Sequence, residues 1–303
     1  MDWITGLQRA IDYIEEHLTE EIELKAVAAQ SFSSEYHFQR VFGILCGITV
    51  GEYIRNRRLS LAGMELAAAD SKVIDVALKY GYESPDSFAK AFQRFHGITP
   101  SQARNNGSSL KSFSRLALKI SLEGGTIMNY RIEEKKEMTL VGYIQRFTGT
   151  SADRFDQEGK FYMSTRANQY MLKGMAHDCD TQYSVMTRFD EEGYDFYIAS
   201  RIDMTRLKNW QETLGEDAVR FEEIQIPGGR YVVCETERMK WPTMQIEDLR
   251  KKIVSEWLPS SGYELSDAPE VEVIHWFYED ANLELKSTRY IELWLPIVKC
   301  SQR

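Results

Sequence analysis

The chain has 303 residues, more than one compact domain ordinarily holds, and its 43% hydrophobic and 12% aromatic content is enough for two cores. The formal charge of −9 does not exclude a nucleic-acid partner, because such a footprint is local. No stretch approaches the roughly 18 apolar residues of a membrane span, and MDWITGLQRA lacks the apolar core of a signal peptide, so a cytoplasmic protein with no membrane partner is expected. The cysteines Cys46, Cys179, Cys234 and Cys300 are scattered and form no CxxC pair, which argues against a structural zinc site or a disulfide framework.

In chain order, Ile4, Leu7, Ile11, Ile14 and Leu18 recur three and four apart, one face of an amphipathic helix with Asp2 placed to cap it. Helical spacing continues to Arg104 with only short turns, so the first third reads as all-α. Within it SEYHFQRVFGILCGIT (Ser34 to Thr49) is echoed by SPDSFAKAFQRFHGIT (Ser84 to Thr99). Phe38, Val41, Phe42 and Leu45 share one helical face, as do Phe88, Ala91, Phe92 and Phe95. Opposite them lie Tyr36, Gln39 and Arg40 in the first copy and Asp86, Ser87 and Lys90 in the second. Ser34 and Ser84 sit as N-caps, Pro85 suits a first helical turn, and the short helical stretches ELKAVAAQ and VIDVALKY precede. Helix, tight turn, capped helix with a polar outer face describes a helix-turn-helix, although a plain helical bundle shares the periodicity. Arg55, Arg57 and Arg58 form the densest basic run, to be read as a solvated or internally paired face or as phosphate contacts.

From Asn105 the stretch NNGSSLKSFSRLALKISLEGG turns rich in Gly, Ser and Asn, marking a linker with one short strand expected at Leu116 to Ile120. Beyond Met128 the order is β-α-β-β: MTLVGYIQRF as strand, RFDQEGKFYMSTRANQYMLKG as helix, YSVMTRF and YDFYIASRI as strands. It recurs with IPGGRYVVCETE, PTMQIEDLRKKIVSEWL, VEVIHWFY and TRYIELWLPIV, with DEEG and EDANLELK joining antiparallel pairs. On the last strand Tyr290, Glu292 and Trp294 alternate with Ile291, Leu293 and Leu295, so a carboxylate flanked by two aromatics faces away from an aliphatic core. Such a carboxylate faces water, pairs with a base, or awaits a cation. His177, Asp178, Cys179 and Asp180 read as a loop whose spacing fits no familiar metal site, and no nucleophile stands beside a histidine in sequence.

VAAQSFSSEYHFQRVF (Val27 to Phe42), EYIRNRRLSLAGMEL (Glu52 to Leu66) and VIDVALKYGYESPDSFAKAFQRFHGITPSQAR (Val73 to Arg104) resemble the DNA-binding domain of the AraC/XylS transcription regulators. The likeness covers residues 4 to 104 and is nearest to the Rob branch, which carries an effector domain on the C-terminal side and activates transcription. It implies two helix-turn-helix units bridged by a long helix, reading successive major grooves roughly 34 Å apart. Ser34, Tyr36, Gln39, Arg40, Asp86, Ser87 and Lys90 are then the candidate DNA contacts: Arg40 has the fork for guanine, Gln39 the amide for adenine, and Tyr36 a flat edge for a thymine methyl. Lys90 suits phosphate or base, and Asp86 can only accept, as from cytosine N4. One departure stands out: Phe32 and Ser33 occupy the places where the family has a glycine and an aromatic, kept in the second unit as Gly81 and Tyr82. The first turn is therefore expected to be reshaped or strained.

WLPSSGYELSDAPEVEVIHWFYED followed by RYIELWLPIVK resembles the GyrI-like small-molecule-binding domain, which would cover Met128 to Lys299 as two β-α-β-β units with the ligand between them. The resemblance places Glu292 in the pocket with aromatic walls drawn from Tyr290, Trp294, Tyr143, Tyr197, Trp210 and Trp276, and aromatic walls favour a lipophilic or cationic effector. The expected organisation is a double helix-turn-helix domain over 1–107, a linker over 108–127 and an α+β domain over 128–303. Promoter DNA and a small effector are the implied partners, RNA polymerase is admitted as a third, and no cofactor or metal is expected. The rival readings are a GyrI-like hydrolase tethered to DNA and a domain that docks a partner protein.

Overall fold

The structure, a computed structural model, describes residues 3–68, 71–105, 107–117, 127–149, 151–178, 180–190, 192–202, 204–214, 221–276 and 289–300. The chain divides into two compact units, Met1–Phe42 with Ile48–Leu122, and Gly43–Gly47 with Glu123–Arg303.

The first unit is helical: α1 Trp3–Glu16, α2 Leu24–Gln30, α3 Glu35–Cys46, α4 Val50–Ala68, α5 Val73–Lys79, α6 Pro85–His96 and α7 Pro100–Ala103. Leu7, Ile11, Ile14 and Leu18 are buried on the face the spacing assigns; the Asp2 cap lies outside the described residues. Both serines cap their helices, Ser34 Oγ accepting from the His37 amide and Ser84 Oγ from the Ser87 amide, each at 3.2 Å. The G-I-T that closes each copy is a stop and a restart. Gly47 and Gly97 turn left-handed at φ 72° and 82°, and Thr49 and Thr99 then cap the next helix by reciprocal bonds with Glu52 and Gln102.

The departure at Phe32 resolves into strain without a change of shape. Phe32 has φ 56° where Gly81 has φ 80°, and the capping bonds match: Ser33 N–H to Ala28 O at 3.3 Å, Tyr82 N–H to Ala77 O at 3.0 Å. A side chain held left-handed costs about 1–2 kcal/mol. The second turn is also longer by Glu83 before its capping serine.

Helix α4, 19 residues and so about 28 Å long, bridges the two helix-turn-helix units. Tyr53 on its first half meets Phe42 of α3 at 5.9 Å between ring centres, and Leu59, Ala62 and Leu66 on its second half join Val76, Phe88 and Phe92 in one core. The basic run on α4 is largely spoken for. Arg57 grips Glu15 through two bonds of 2.8 Å, Arg58 donates to the Leu18 and Glu20 carbonyls, and Arg55 alone stays half exposed, 3.8 Å from Glu52.

Residues 108–117, expected as a loose connection, form a strap along this unit. The Lys111 amide donates to His96 Nδ1 at 3.2 Å, the Phe113 amide to Ser60 Oγ at 2.9 Å and the Leu116 amide to the Tyr53 hydroxyl at 3.2 Å, while Arg115 pairs with Asp12. Of the strand expected at Leu116 to Ile120, residues 116 and 117 are not in a strand and 118–120 lie outside the described residues.

The second unit runs β1 Arg131–Lys135, β2 Met138–Thr148, α8 Ser151–Ser164, α9 Arg166–Met175, β3 Thr181–Thr187, β4 Gly193–Ser200, α10 Met204–Leu214, β5 Glu222–Ile226, β6 Gly229–Glu235, α11 Ile246–Lys252, a π turn Ile253–Trp257, α12 Leu258–Ser261, β7 Tyr263–Leu265, β8 Glu270–His275 and β9 Tyr290–Lys299. The antiparallel, curled sheet has the order β1-β6-β9-β8-β3-β4-β2-β5. Exchanging β1 with β5, β2 with β6, β3 with β8 and β4 with β9 reverses that order onto itself, so the duplication is real and its axis passes between β3 and β8. The first half nevertheless has one strand more than expected, β1, and the second has two, β5 and the short β7, which pairs with β9. β1 and β5 (RIEEK and EEIQI) are short and charged, the composition of protected edges, and each crosses over to pair with the other half, β1 with β6 and β5 with β2. The first expected helix is two, α8 and α9, α10 was not anticipated, and the expected EDANLELK turn lies outside the described residues.

Two predictions follow from the helical unit. Gly81→Ala, which would place a Cβ 2.8 Å from an Arg58 guanidinium nitrogen, should lower stability by about 1–2 kcal/mol in urea titrations, whereas Phe32→Gly should raise it by a few tenths to about 1 kcal/mol. Burial opposes ionisation of Glu15, but hydrogen bonds from Arg57 and Tyr53 and the Arg57 charge hold its carboxyl below the usual value. The stability this gives is present above the unfolded carboxyl's pKa and is lost as pH falls through the folded one. Arg57→Ala should cost about 3 kcal/mol at pH 7 and flatten that acid limb in melts between pH 7 and 3.

Candidate functional site: a nucleic-acid face and a carboxylate among aromatics

Helix α6 presents an open polar stripe. Asp86, Ser87 and Lys90 are exposed opposite the buried Phe88 and Phe92, and Gln93 and Arg94, which the sequence reading did not single out, extend the stripe by one turn. Their signal was the same three-and-four spacing carried beyond Lys90.

Helix α3 is not equivalent. Ser34 is exposed and Tyr36 half-buried, but Arg40 is only 9% exposed and engaged, and the Gln39 side-chain oxygen is buried with no hydrogen-bond partner among the described residues. His37 and Ile44 are buried as well, and burial pushes the His37 imidazole down to about 4. Of the two residues expected to face outward, Gln39 is half-buried, its side-chain amide donating to Glu35 at 3.4 Å, and Arg40 is buried. Apolar periodicity locates the core side of a helix and is silent about what covers the far side.

In the second unit, strand alternation sorts the candidate wall residues onto two faces. Leu140, Val185, Tyr197, Tyr231, Val233, Val271, Val273 and Trp294 form a cluster built from strands alone, and Glu292 shares its face, level with Val273 on one neighbour and Glu235 on the other. Tyr143, Phe147, Phe161, Phe196 and Ile198 form the other cluster beneath the helices, and Trp210 packs against it. Trp276 follows β8 on that second face, its indole N–H donating to Gln182 at 3.2 Å. Tyr197, Tyr290 and Trp294 therefore accompany Glu292, while Tyr143, Trp210 and Trp276 lie on the opposite face of the sheet. A one-residue change of parity moves a side chain through the sheet, so aromatic character alone could not decide this.

Glu292 is not unpaired. Its side chain is 16% exposed; Oε2 accepts from the Trp294 indole at 2.8 Å, and Oε1 lies 3.4 Å from Arg131 and 3.9 Å from His275. His275 stacks on Tyr290 at 4.3 Å between ring centres, and the Arg238 guanidinium lies over the ring of that tyrosine, 3.9 Å from its centre. Burial lowers the His275 pKa, with Glu292, Asp178 and Glu235 pulling the other way. Arg131 was missed because β1 was not recognised as a strand.

The helix-covered face holds a separate charged group at the pseudo-twofold axis. Arg250 of α11 bonds Glu270 at 2.6 Å and Glu272 at 2.9 Å, and Tyr162 bonds Ser184 at 2.7 Å beside them. Burial pushes the Glu272 carboxyl up, against the pull of Arg250, and burial does the same to Glu158 on α8.

A double helix-turn-helix unit followed by a duplicated α+β unit with a carboxylate among aromatics defines a transcription regulator of AraC type with a GyrI-like effector-binding domain. Residues 27–106 match the helix-turn-helix domain family, and residues 131–297 match the family described as integron-associated effector binding protein. The chain belongs to this effector-binding family, carries an AraC-type DNA-binding domain, and is a DNA-binding transcription regulator. Among similar proteins, the HTH-type transcriptional activator AarP of Providencia stuartii is 45% identical over 92 residues, 30% of this chain and 68% of AarP. YbfP of Bacillus subtilis, an uncharacterized HTH-type transcriptional regulator, is 37% identical over 212 residues, 69% of this chain and 63% of that protein. The structure of an integron cassette protein from Vibrio cholerae aligns with 56% of this chain and 95% of its own at 16% identity and a TM-score of 0.38.

The raised Glu272 carboxyl gives a pH dependence of opposite sign to that of Glu15. The folded state holds a proton that the unfolded chain releases near its ordinary carboxyl pKa, so this stability is full below that value and lost as pH rises through the folded one. Glu272→Gln, which mimics the protonated acid, should remove the decline in melting temperature between pH 5 and pH 9.

Proposed function

We propose that the protein binds promoter DNA mainly through α6 and answers to a small lipophilic cation recognised at Glu292. The exposed stripe Asp86, Ser87, Lys90, Gln93 and Arg94 on a serine-capped helix carries the first half of this reading, because it is open, polar and continuous over two turns. Lys90 and Arg94 supply charge for phosphate or guanine, Ser87 a short donor, and Asp86 an acceptor for cytosine N4. Ser34 and Tyr36 of α3 add contacts to a neighbouring groove, and Gln39 and Arg40, the less exposed pair, contribute less. A monomer with two unlike helices reads an asymmetric site. Activation accords with the activator AarP among its relatives, and RNA polymerase as a further partner and a cytoplasmic location belong to the same proposal.

The carboxylate and the aromatic rings beside it carry the effector half. Tyr290, Trp294 and Tyr197 supply ring faces and apolar area, and Glu292 supplies the charge that a cation seeks. Regulation follows only if the ligand prefers one arrangement of the protein over another.

In DNA titrations, Lys90→Ala should weaken binding about three- to thirtyfold and reduce the salt slope by about one unit, while Arg40→Ala should change affinity less than threefold. A large loss at Arg40 with none at Lys90 would reverse the assignment of the leading helix. For the effector, a panel of hydrophobic cations should raise the melting temperature of the wild type and leave Glu292→Gln unmoved. Turnover of an ester or epoxide by the full chain would favour the hydrolase reading instead.

A further inference from the structure

The crossed-over edge strand β1 brings charge to the Glu292 face. Arg131, Glu133 and Lys135 alternate along β1, so their side chains leave the same side of it. Arg131 bonds Glu133 at 2.7 Å, Glu235 at 2.6 Å and Glu292 at 3.4 Å. Lys135 bonds Glu133 at 2.6 Å, and its ammonium stands 3.8 Å from the centre of the Trp294 ring. The indole N–H of Trp294 is itself committed to Glu292. The ring face beside Glu292 therefore already holds a cation, supplied by the protein. The Lys135 side chain is 18% exposed, enclosed enough to be held in place. Its flexible four-carbon stem nevertheless lets the ammonium withdraw to water while the stem stays on apolar surface.

We propose that Lys135 is a built-in competitor for the Trp294 ring face: a cationic effector binds by displacing the lysine ammonium, and Lys135 thereby sets how lipophilic that cation must be. This rests on the reading of Glu292 as the effector carboxylate. A small cation gains from the ring about what Lys135 gives up, so it has no advantage. A large, weakly hydrated cation adds buried apolar area that the lysine cannot match, and it wins the exchange. Specificity comes from a penalty on the wrong ligand as well as from attraction of the right one. Glu133, relieved of Lys135, keeps Arg131 as its partner, so displacement leaves no carboxylate unpaired.

The test is calorimetric titration of the full chain with tetraphenylphosphonium and with tetramethylammonium. Lys135→Met should bind tetraphenylphosphonium about tenfold more tightly than the wild type and should bring tetramethylammonium into the measurable range. Lys135→Arg, which keeps a cation over the ring, should stay within about twofold of the wild type for both ligands. Lys136→Met makes the same change of net charge one residue away and should leave both affinities unaltered. Should methionine disturb folding, as read by the melting curve, Lys135→Gln gives the same comparison. Equal affinities in wild type and Lys135→Met, with Glu292→Gln still weakened, overturn the competitor and leave the site standing. Equal tightening by Lys136→Met also overturns it, since the effect is then one of general charge. No binding by wild type or by Lys135→Met removes the site itself, and the competitor with it.

Discussion

Helix α4 must hold two helix-turn-helix units at a fixed separation while offering each of them a core face, and most of the helical unit follows from that demand. A helix that serves one neighbour needs one apolar stripe; α4 buries Val50, Tyr53, Ile54, Leu59, Ala62 and Leu66 around much of its circumference. Little of its surface is left for charge, and the basic residues it carries are largely turned to structural use. Arg57 closes on Glu15 and Tyr53, Arg58 caps carbonyls at the end of the first helical segment, and Ser60 receives the strap. A basic run that suggested phosphate contacts thus proves mainly to be the fastening of the bridge.

The same economy shapes the strap at residues 108–117. Its amides find partners in His96, Ser60 and Tyr53, side chains that reach out from α6 and α4. The neutral imidazole of His96 can serve two partners at once, with Nε2 toward the Leu59 carbonyl at 3.0 Å and Nδ1 accepting from Lys111. A polar, Gly- and Ser-rich composition is what a flexible linker has, but it is also what an extended segment needs when its backbone is satisfied by a neighbouring helix.

In the second unit the governing fact is the alternation of side chains through a sheet whose two faces have different company. Beneath the helices Arg250 must serve Glu270 and Glu272, and burial answers the excess of carboxylates by raising a pKa. On the other face Glu292 is surrounded by rings and by cations delivered from β1. The two acidic groups look alike in composition and differ in setting: one is a buried charge network beneath the helices, the other a carboxylate held among aromatic rings and the cations of an edge strand.

The architecture that rests on local pattern can be read from the residues alone. The fifty-residue echo, the serine caps at Ser34 and Ser84, and the alternation of Tyr290, Glu292 and Trp294 with aliphatic residues were all legible, because three-and-four spacing, period-two spacing and capping chemistry act over a few residues. The remainder depends on residues far apart in the chain. The pairing of Arg57 with Glu15, the separation of Tyr143, Trp210 and Trp276 from Glu292, and the arrival of Arg131 and Lys135 beside it each require knowing which distant surface covers which face. The strands β1 and β5 escaped notice for a related reason: a short charged edge strand has too little apolar pattern to announce itself, and only its partner in the other half of the duplication makes it a strand.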